Sequence, residues 1–266
     1  FRPHMLIPII SILKGLTDPN IGLNMGQTAE NLAKKFSISK NEADQYSLLS
    51  HKNSINYEKE IHSKQITSIY SSNGSYFNKD DGIRPNLEID NLKKLKAVFD
   101  RPDGTITAGN SSQVTDGACL FLLASEKAVR DFNLKPIGAI VDEEWAGLSP
   151  AEMGLGPIHA FIPIIKRNKL KKSSIDVWEI NEAFAAQVLA CQAALDNDEY
   201  CKLHLDMKEK FGSIDSEKLN IAGGAISLGH PVGASGARIV LNALNLLENK
   251  NGKRAIASIC IGGGQG

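Results

Sequence analysis

The fold class is decided near the end of the chain, where the sequence reads NIAGGAISLGHPVGASGARIVLNALNLLENKNGKRAIASICIGGGQG from Asn220 to Gly266. This stretch predicts a short apolar strand over 219–222, a glycine-rich turn, a helix that runs to about Leu247, and a second buried strand over 254–261. The apolar residues of the helix recur at helical spacing, and the strand–helix–strand order is typical of α/β folds. We therefore expect an α/β protein with two glycine turns at strand ends.

Each glycine turn carries one chemically active side chain. His230 precedes a helix whose positive dipole end disfavours imidazolium, so its neutral ring could accept a proton near neutral pH. Cys260 is followed by glycines whose N–H groups could form a nest for a thiolate or a carbonyl oxygen. Each residue alone has an ordinary structural alternative, since a cysteine at the end of an apolar strand is most often part of the core. A phosphate-binding turn is disfavoured because neither common glycine-loop spacing is present.

Six motifs, in order along nearly the whole chain, resemble those of the thiolases, which are acetyl-CoA C-acyltransferases and acetyltransferases. The motifs are NMGQTAEN at 24–31, TAGNSS at 107–112 with TDGA at 115–118, MGLGP at 153–157, NEAFAAQ at 181–187, the glycine turn at 223–236, and CIGGG at 260–264. The resemblance implies a five-layer α-β-α-β-α fold with a mostly incomplete first half and an inserted loop domain.

The resemblance also implies how the chain is divided. Residues 1–98 would form a loop (cap) domain over the substrate, 99–135 the end of the N-terminal half, and 136–266 the C-terminal half. In the family, a long segment that carries the nucleophilic cysteine precedes the motif at 24–31, so we expect an N-terminally truncated chain with its nucleophile outside the sequence.

The activity implied by the resemblance is acyl transfer between coenzyme A thioesters, either thiolysis of a 3-ketoacyl-CoA or Claisen condensation of acyl-CoAs through a cysteine thioester. His230 would activate the nucleophile, and Cys260 would move the proton at the α-carbon. Asn181 and the N–H of Gly262 would help to hold the oxyanions. The residues expected to bind coenzyme A are Ser112, Ala108, Phe99, Met25, Met153 and Phe184.

The expected partners follow from the same resemblance. The substrates are acyl-CoA and coenzyme A, and no metal or other cofactor is expected. The protein partners are further copies of the chain, in a homodimer or homotetramer, with a β-oxidation partner subunit as a further option. The insertion at 196–218 favours thiolases of fatty acid oxidation over the shortest biosynthetic ones. The alternative is a non-catalytic acyl-CoA-binding or complex-forming thiolase-like subunit. A β-ketoacyl synthase-like enzyme is disfavoured because it would carry a histidine where Cys260 stands. A Cys/His hydrolase is a further alternative, and it would differ from a thiolase by releasing free acid and no acetyl-CoA.

Composition narrows the remaining classes of function and of cellular location. Thirty basic and thirty acidic residues cancel, so bulk charge gives no support for nucleic-acid binding. A membrane span is not expected, because the chain has no apolar run of about 18 residues. The four cysteines lack C-x-x-C spacing, which suits a reducing compartment. We expect a cytoplasmic protein, with mitochondrial or peroxisomal targeting left open because of the expected truncation.

Local patterns predict the other elements. A loop is expected over 1–24. Two helices are expected after it, the first capped by Thr28 and the second beginning with a capping box at Ser39. Strands are expected over 65–70, 117–124, 137–141 and 175–180, and helices over 125–132, 156–168 and 181–195. Cys119 and Cys191 are expected in the core, and His4, His51 and His62 in solvent.

Overall fold

The computed structural model describes residues 11–266, so His4 and the first part of the loop predicted for 1–24 lie outside the described residues. The helices are α1 Ser11–Gly15, α2 Met25–Lys35, α3 Lys40–Asn56, a π-helical turn Glu58–His62, α4 Ser63–Gln65, α5 Ile89–Lys93, α6 Glu126–Asp131, α7 Gly156–Arg167, α8 Ala185–Leu195, α9 Asp198–His204, α10 Ala225–Leu228 and α11 Val232–Lys250. Short 3₁₀ helices cover Pro150–Leu155 and Lys172–Ser174. The strands are β1 Ile69–Tyr70, β2 Tyr76–Phe77, β3 Val177–Ile180 and β4 Ala255–Ser258.

The centre of the C-terminal half is the parallel pair of β3 and β4, in which Ile180 lies opposite Ser258. Successive side chains of a strand point to opposite faces of the sheet. Val177 packs with Ala243 of α11, whereas Trp178 meets the ring of Phe161 of α7 edge to face, with centroids 5.2 Å apart. Helices therefore cover both faces of the pair, and the α/β class is confirmed.

Helices α2 and α3 begin at capping boxes and pack on the C-terminal half. Ser39 and Glu42 form the box predicted for α3, which is confirmed. The predicted cap of α2 was wrong, because the side chain of Asn24, not Thr28, accepts from the N–H of Gln27 and the helix begins at Met25. The apolar side chains of α2 share the main core with α8, and α3 packs against α8 and α10. The domain boundary at residue 98 stays a prediction.

Two predicted strands are absent from the described chain. Residues 117–124 and 137–141 form no strand, and no backbone–backbone hydrogen bond between residues 11 and 266 involves them. Most of their apolar side chains are exposed, with Leu120 at 89% and Val141 at 86%. Apolar runs become strands only where a neighbouring strand pairs with them, and residues 11–266 supply none here. Cys119 is accordingly half-buried and not in the core, whereas Cys191 is fully buried as predicted.

Other predicted boundaries moved for local reasons. The strand predicted over 219–222 is a single parallel bridge between Leu219 and Trp178, because the chain turns at Asn220, whose φ is +46°. The strand predicted over 65–70 shortens to β1, which pairs with β2 in an exposed hairpin. The helix predicted from residue 181 begins at Ala185.

Candidate active site

The ends of β3 and β4 place two of the predicted catalytic residues at one edge of the sheet. Asn181 follows β3 directly, and its N–H donates to the carbonyl oxygen of Ser258 at 2.9 Å. Cys260 lies two residues beyond β4. Because the strands are parallel, both residues leave the sheet at the carboxyl edge, where open α/β sheets bind their ligands.

The turn that carries His230 is fixed by its backbone. Gly229 has a φ of +85°, and a Cβ there would lie 2.4 Å from the side chain of Thr115, so the position requires glycine. The N–H of His230 donates to the carbonyl oxygen of Gln113 at 2.9 Å. The guanidinium of Arg238 donates to the carbonyl oxygen of Gly229. These contacts hold the turn against the 113–115 segment and leave only the imidazole ring to be oriented.

The ring of His230 reaches Asn181. Its Nε2 lies 3.4 Å from Asn181 Nδ2, and its Nδ1 lies 2.7 Å from Ser235 Oγ. Asn181 is 2% exposed, and its Oδ1 has no hydrogen-bond partner within residues 11–266. Burial, together with the nearby charge of Arg238, lowers the pKa of His230 to about 4. The ring is therefore neutral at pH 7 and can accept a proton, as the sequence predicts.

Cys260 is a buried thiol rather than a standing thiolate. Its side chain belongs to the main core and is 8% exposed. Burial raises the pKa of Cys260 to about 12, so the expected thiolate nest is wrong for the protein at rest. Gly262 is exposed in the following turn, and its N–H makes no hydrogen bond within the described part of the chain. A thiol donor and a free N–H thus lie within two residues of each other.

A buried carboxylate ties the Asn181 loop to its surroundings. Glu182 accepts hydrogen bonds from the hydroxyls of Tyr46 and Ser50, at 3.0 and 2.7 Å, on helix α3. It also accepts from Asn220 Nδ2 at 3.2 Å and from the N–H of Ile226 at 3.3 Å. The four donors come from α3, from the turn after the Leu219 bridge, and from α10. Glu182 therefore joins helix α3 and the chain leading to His230 to the end of β3.

Some of the predicted coenzyme A contacts lie together. The rings of Phe99 and Phe184 pack edge to face with centroids 6.3 Å apart. The Sδ of Met25 lies 3.4 Å from the position that a Cβ of Gly262 would take. Met153 and Phe184 are both buried in the main core. The N–H of Ser112 donates to the carbonyl oxygen of Ala183, which joins the 107–112 and 181–187 motifs. Their contact with coenzyme A stays a prediction.

Ala108 lines a cavity of about 170 Å³ beside these motifs, with His51, Arg84 and Gln113 also in its wall. His51 was predicted to be in solvent, which is wrong, because the residue is buried and the N–H of Arg84 donates to its Nδ1 at 3.2 Å. Burial is the main cause that lowers the pKa of His51 to about 4. Nothing in the sequence signals this contact, because the two residues are far apart along the chain.

His62 was also predicted to be in solvent, and it is buried. Its Nε2 donates to the carbonyl oxygen of Ala222 at 2.8 Å, which closes the π-helical turn onto the glycine-rich segment. Within residues 11–266, His, Cys, Asp and Glu side chains nowhere gather in a group of three or more that could hold a metal ion. No helix in the same range is long and apolar enough to cross a membrane.

Family models match almost the whole chain. The N-terminal domain model of the thiolases matches residues 8–127, and the C-terminal domain model matches residues 134–266. The chain belongs to the thiolase family. This agrees with the resemblance in the six motifs, and it places the thiolase C-terminal domain on the part of the chain that carries Asn181, His230 and Cys260.

Similar thiolases are known in sequence and structure. The mitochondrial 3-ketoacyl-CoA thiolase of Mus musculus is 39% identical over 95% of this chain and 60% of its own length. A probable acetyl-CoA acyltransferase of Staphylococcus aureus (strain COL) is 38% identical over 96% of this chain and 61% of its own. The crystal structure of human mitochondrial 3-ketoacyl-CoA thiolase in complex with CoA has a TM-score of 0.83 and 36% identity, over 96% of this chain and 60% of that one. The Bacillus anthracis acetyl-CoA acetyltransferase has a TM-score of 0.84 and 34% identity. This thiolase chain thus spans about 60% of the length of the curated relatives that it matches.

Proposed function

We propose that the protein containing this chain transfers acyl groups between coenzyme A thioesters. The observation that carries the proposal is the contact between the neutral ring of His230 and Asn181 at the strand edge from which Cys260 also emerges. A proton acceptor, a proton donor and oxyanion donors at one site are the groups that acyl transfer to and from a thiol requires. The names of the similar proteins, which include 3-ketoacyl-CoA thiolases, point to the same chemistry.

In the first half-reaction, Nε2 of His230 accepts the proton of a cysteine thiol, and the thiolate attacks the 3-keto carbon of the substrate. The bond between the 2- and 3-carbons breaks, and its electron pair passes to the 2-carbon as the enolate of acetyl-CoA. The thiol of Cys260 gives its proton to that carbon. Its raised pKa suits this role, because the donor stays protonated until the carbanion forms.

In the second half-reaction, the thiolate of Cys260 takes the proton of coenzyme A, whose sulfur attacks the acyl-enzyme. The nucleophile leaves as a thiolate and recovers its proton from His230. Asn181 holds a water molecule that completes one oxyanion hole with His230, and the unpartnered Oδ1 of Asn181 gives that water an acceptor. The free N–H of Gly262 donates to the other oxyanion.

The nucleophile is the one group that we assign outside residues 1–266. Cys191 of α8 and Cys201 of α9 are fully buried, and Cys260 is already assigned as the proton donor. Cys119 lies in the exposed 117–124 segment and has a raised pKa, mainly through burial, which does not suit a nucleophile.

Coenzyme A binds, in this proposal, along Ala108, Ser112, Phe99, Met25 and Phe184, with Met153 supporting the site from the core. The cavity beside Ala108 adds two groups that the sequence did not suggest. The guanidinium of Arg84 can meet a phosphate of coenzyme A. Because Nδ1 of His51 accepts the N–H of Arg84, its Nε2 carries the proton and can donate to a ligand oxygen.

We further propose that the protein acts in fatty acid metabolism, by thiolysis or by condensation, assembles from identical copies as a dimer or tetramer, and can join a β-oxidation partner subunit. Its substrates themselves are coenzyme A thioesters, with no metal or other cofactor in the mechanism. The proposed location is the cytoplasm, with mitochondria or peroxisomes left open, and the similar proteins include mitochondrial thiolases.

The test separates the two half-reactions in the intact protein. Cys260→Ser should abolish thiolysis of a 3-ketoacyl-CoA but still allow acylation of the protein by an acyl-CoA, detected by intact-protein mass spectrometry. His230→Ala should impair both half-reactions, and Cys119→Ser serves as the control that leaves both unchanged. Thiolysis that survives Cys260→Ser would overturn the assignment of Cys260. An intact wild-type protein that binds acyl-CoA without turnover would instead favour the non-catalytic subunit.

A further inference from the structure

Ser235, on the first turns of α11, contacts the catalytic histidine from the side opposite to Asn181. Its Oγ lies 2.7 Å from Nδ1 of His230 and 3.1 Å from the carbonyl oxygen of Pro231. The side chain is fully buried, so water does not compete for these contacts. The serine lies in the glycine-rich motif at 223–236, whose sequence pattern indicates no role for it.

The hydrogens around the ring can be placed from these contacts. A carbonyl oxygen can only accept, so the contact between Ser235 and Pro231 has the hydroxyl as its donor, beside the N–H groups of Ala234 and Ser235 that donate to the same oxygen. When the hydroxyl donates to Pro231, the Oγ accepts from Nδ1–H of His230. On the other side, the atom of Asn181 that lies 3.4 Å from Nε2 is Nδ2, a donor, which favours an acceptor at Nε2. Both neighbours therefore favour the same neutral tautomer, with the proton on Nδ1 and the lone pair on Nε2.

We propose that Ser235 is a positioning residue that orients the His230 imidazole and selects the tautomer in which Nε2 carries the lone pair that accepts a proton. The inference rests on the proposed function, because Nε2 is the atom that takes the proton of the nucleophilic thiol there. The backbone of the turn is already held by Gln113 and Arg238. The side chain of His230 can then move only by rotation of the ring about its side-chain bonds. The contact at Nδ1 prevents this rotation.

The direct test is ¹⁵N NMR of the histidine side chains in the intact protein near pH 7. The signals of His230 are assigned by their loss in His230→Gln. In the wild type, we expect a pyrrole-like Nδ1 and a pyridine-like Nε2, and in Ser235→Ala a mixture of both tautomers. A matched control is Ser47→Ala, because Ser47 is also fully buried in a helix and donates to the carbonyl oxygen four residues earlier, but contacts no histidine.

Kinetics add a second readout. Ser235→Ala should lower kcat in both half-reactions by about 10- to 100-fold, with KM for coenzyme A changed less than about twofold, since groups that orient a functional histidine typically matter by this much. Ser235→Thr keeps the hydroxyl and should recover most of kcat. Should threonine prevent folding, the alanine variant and the NMR spectra carry the test.

The outcomes separate the inference from the proposed function. A wild-type spectrum with the proton on Nε2, or a Ser235→Ala protein that matches Ser47→Ala in both spectrum and kcat, would overturn the role of Ser235. The stated tautomer in a protein without any thiolysis would leave the contact of Ser235 confirmed and would contradict the proposed function alone.

Discussion

Replacing Glu182 by glutamine should destabilise the protein by about 2–4 kcal/mol. Each carboxylate oxygen accepts one hydroxyl that can rotate, from Tyr46 or Ser50, and one N–H that cannot, from Asn220 or Ile226. The amide group of glutamine must replace one of these oxygens, so in either orientation it faces a fixed N–H. A lost hydrogen bond to a charged acceptor is worth about 1.5–3 kcal/mol, and an unsatisfied buried donor adds about 1–3 kcal/mol, which rearrangement of the hydroxyls partly offsets.

The assay is urea unfolding of the intact protein at pH 7, followed by circular dichroism. The matched control is Glu152→Gln, which removes a half-exposed ion pair with Lys35 and should lower the free energy of unfolding by less than about 1 kcal/mol. With slopes of about 1–3 kcal/mol per molar urea, the unfolding midpoint of the Glu182 variant should fall by about 0.7 M or more. Equal midpoints for the two variants would refute the role given to the buried carboxylate.

Three further predictions concern the site. Protonation of His230 should not reduce kcat/KM between about pH 7 and 5, because the pKa of the ring is lowered to about 4, and an acid limb near pH 6.5 in a pH–rate profile would contradict this. His51→Leu should raise KM for coenzyme A about tenfold with kcat unchanged, because it removes a hydrogen-bond donor to the ligand. His51→Gln keeps a donor and should change KM less. Equal KM values for the two variants would exclude a hydrogen bond from His51 to the ligand. Gly229→Ala should lower Tm and activity strongly, because φ is positive at this position and a Cβ would contact Thr115. The control is Gly233→Ala, which has open space around it and should be near neutral. Similar Tm values for the two variants would argue against a strained turn.

The features predicted best from the sequence are those that depend on neighbours along the chain. The capping box at Ser39 starts α3 as expected, because both of its hydrogen bonds join residues three apart. The placement of Asn181 and Cys260 at one sheet edge also followed, since a parallel pair fixes which ends of its strands coincide. Local chemistry and the strand–helix order were sufficient for these.

The features that sequence reasoning missed depend on contacts between distant segments. The apolar run 117–124 has the composition of a buried strand, but a strand also needs a partner, and none pairs with it within residues 11–266. His51 and His62 look polar and solvated in the sequence, yet the chain folds the N–H of Arg84 and the carbonyl oxygen of Ala222 onto them. Ser235 is only five residues from His230, but the turn at Pro231 decides that its hydroxyl reaches the ring.

The most direct measurement of the central claim is product analysis of the intact protein with acetoacetyl-CoA, with and without free coenzyme A. If the edge that carries His230, Asn181 and Cys260 performs acyl exchange, each acetoacetyl-CoA should yield two molecules of acetyl-CoA, and only when coenzyme A is present. Free acetoacetate or acetate formed without any need for coenzyme A would show hydrolysis instead and would contradict the account.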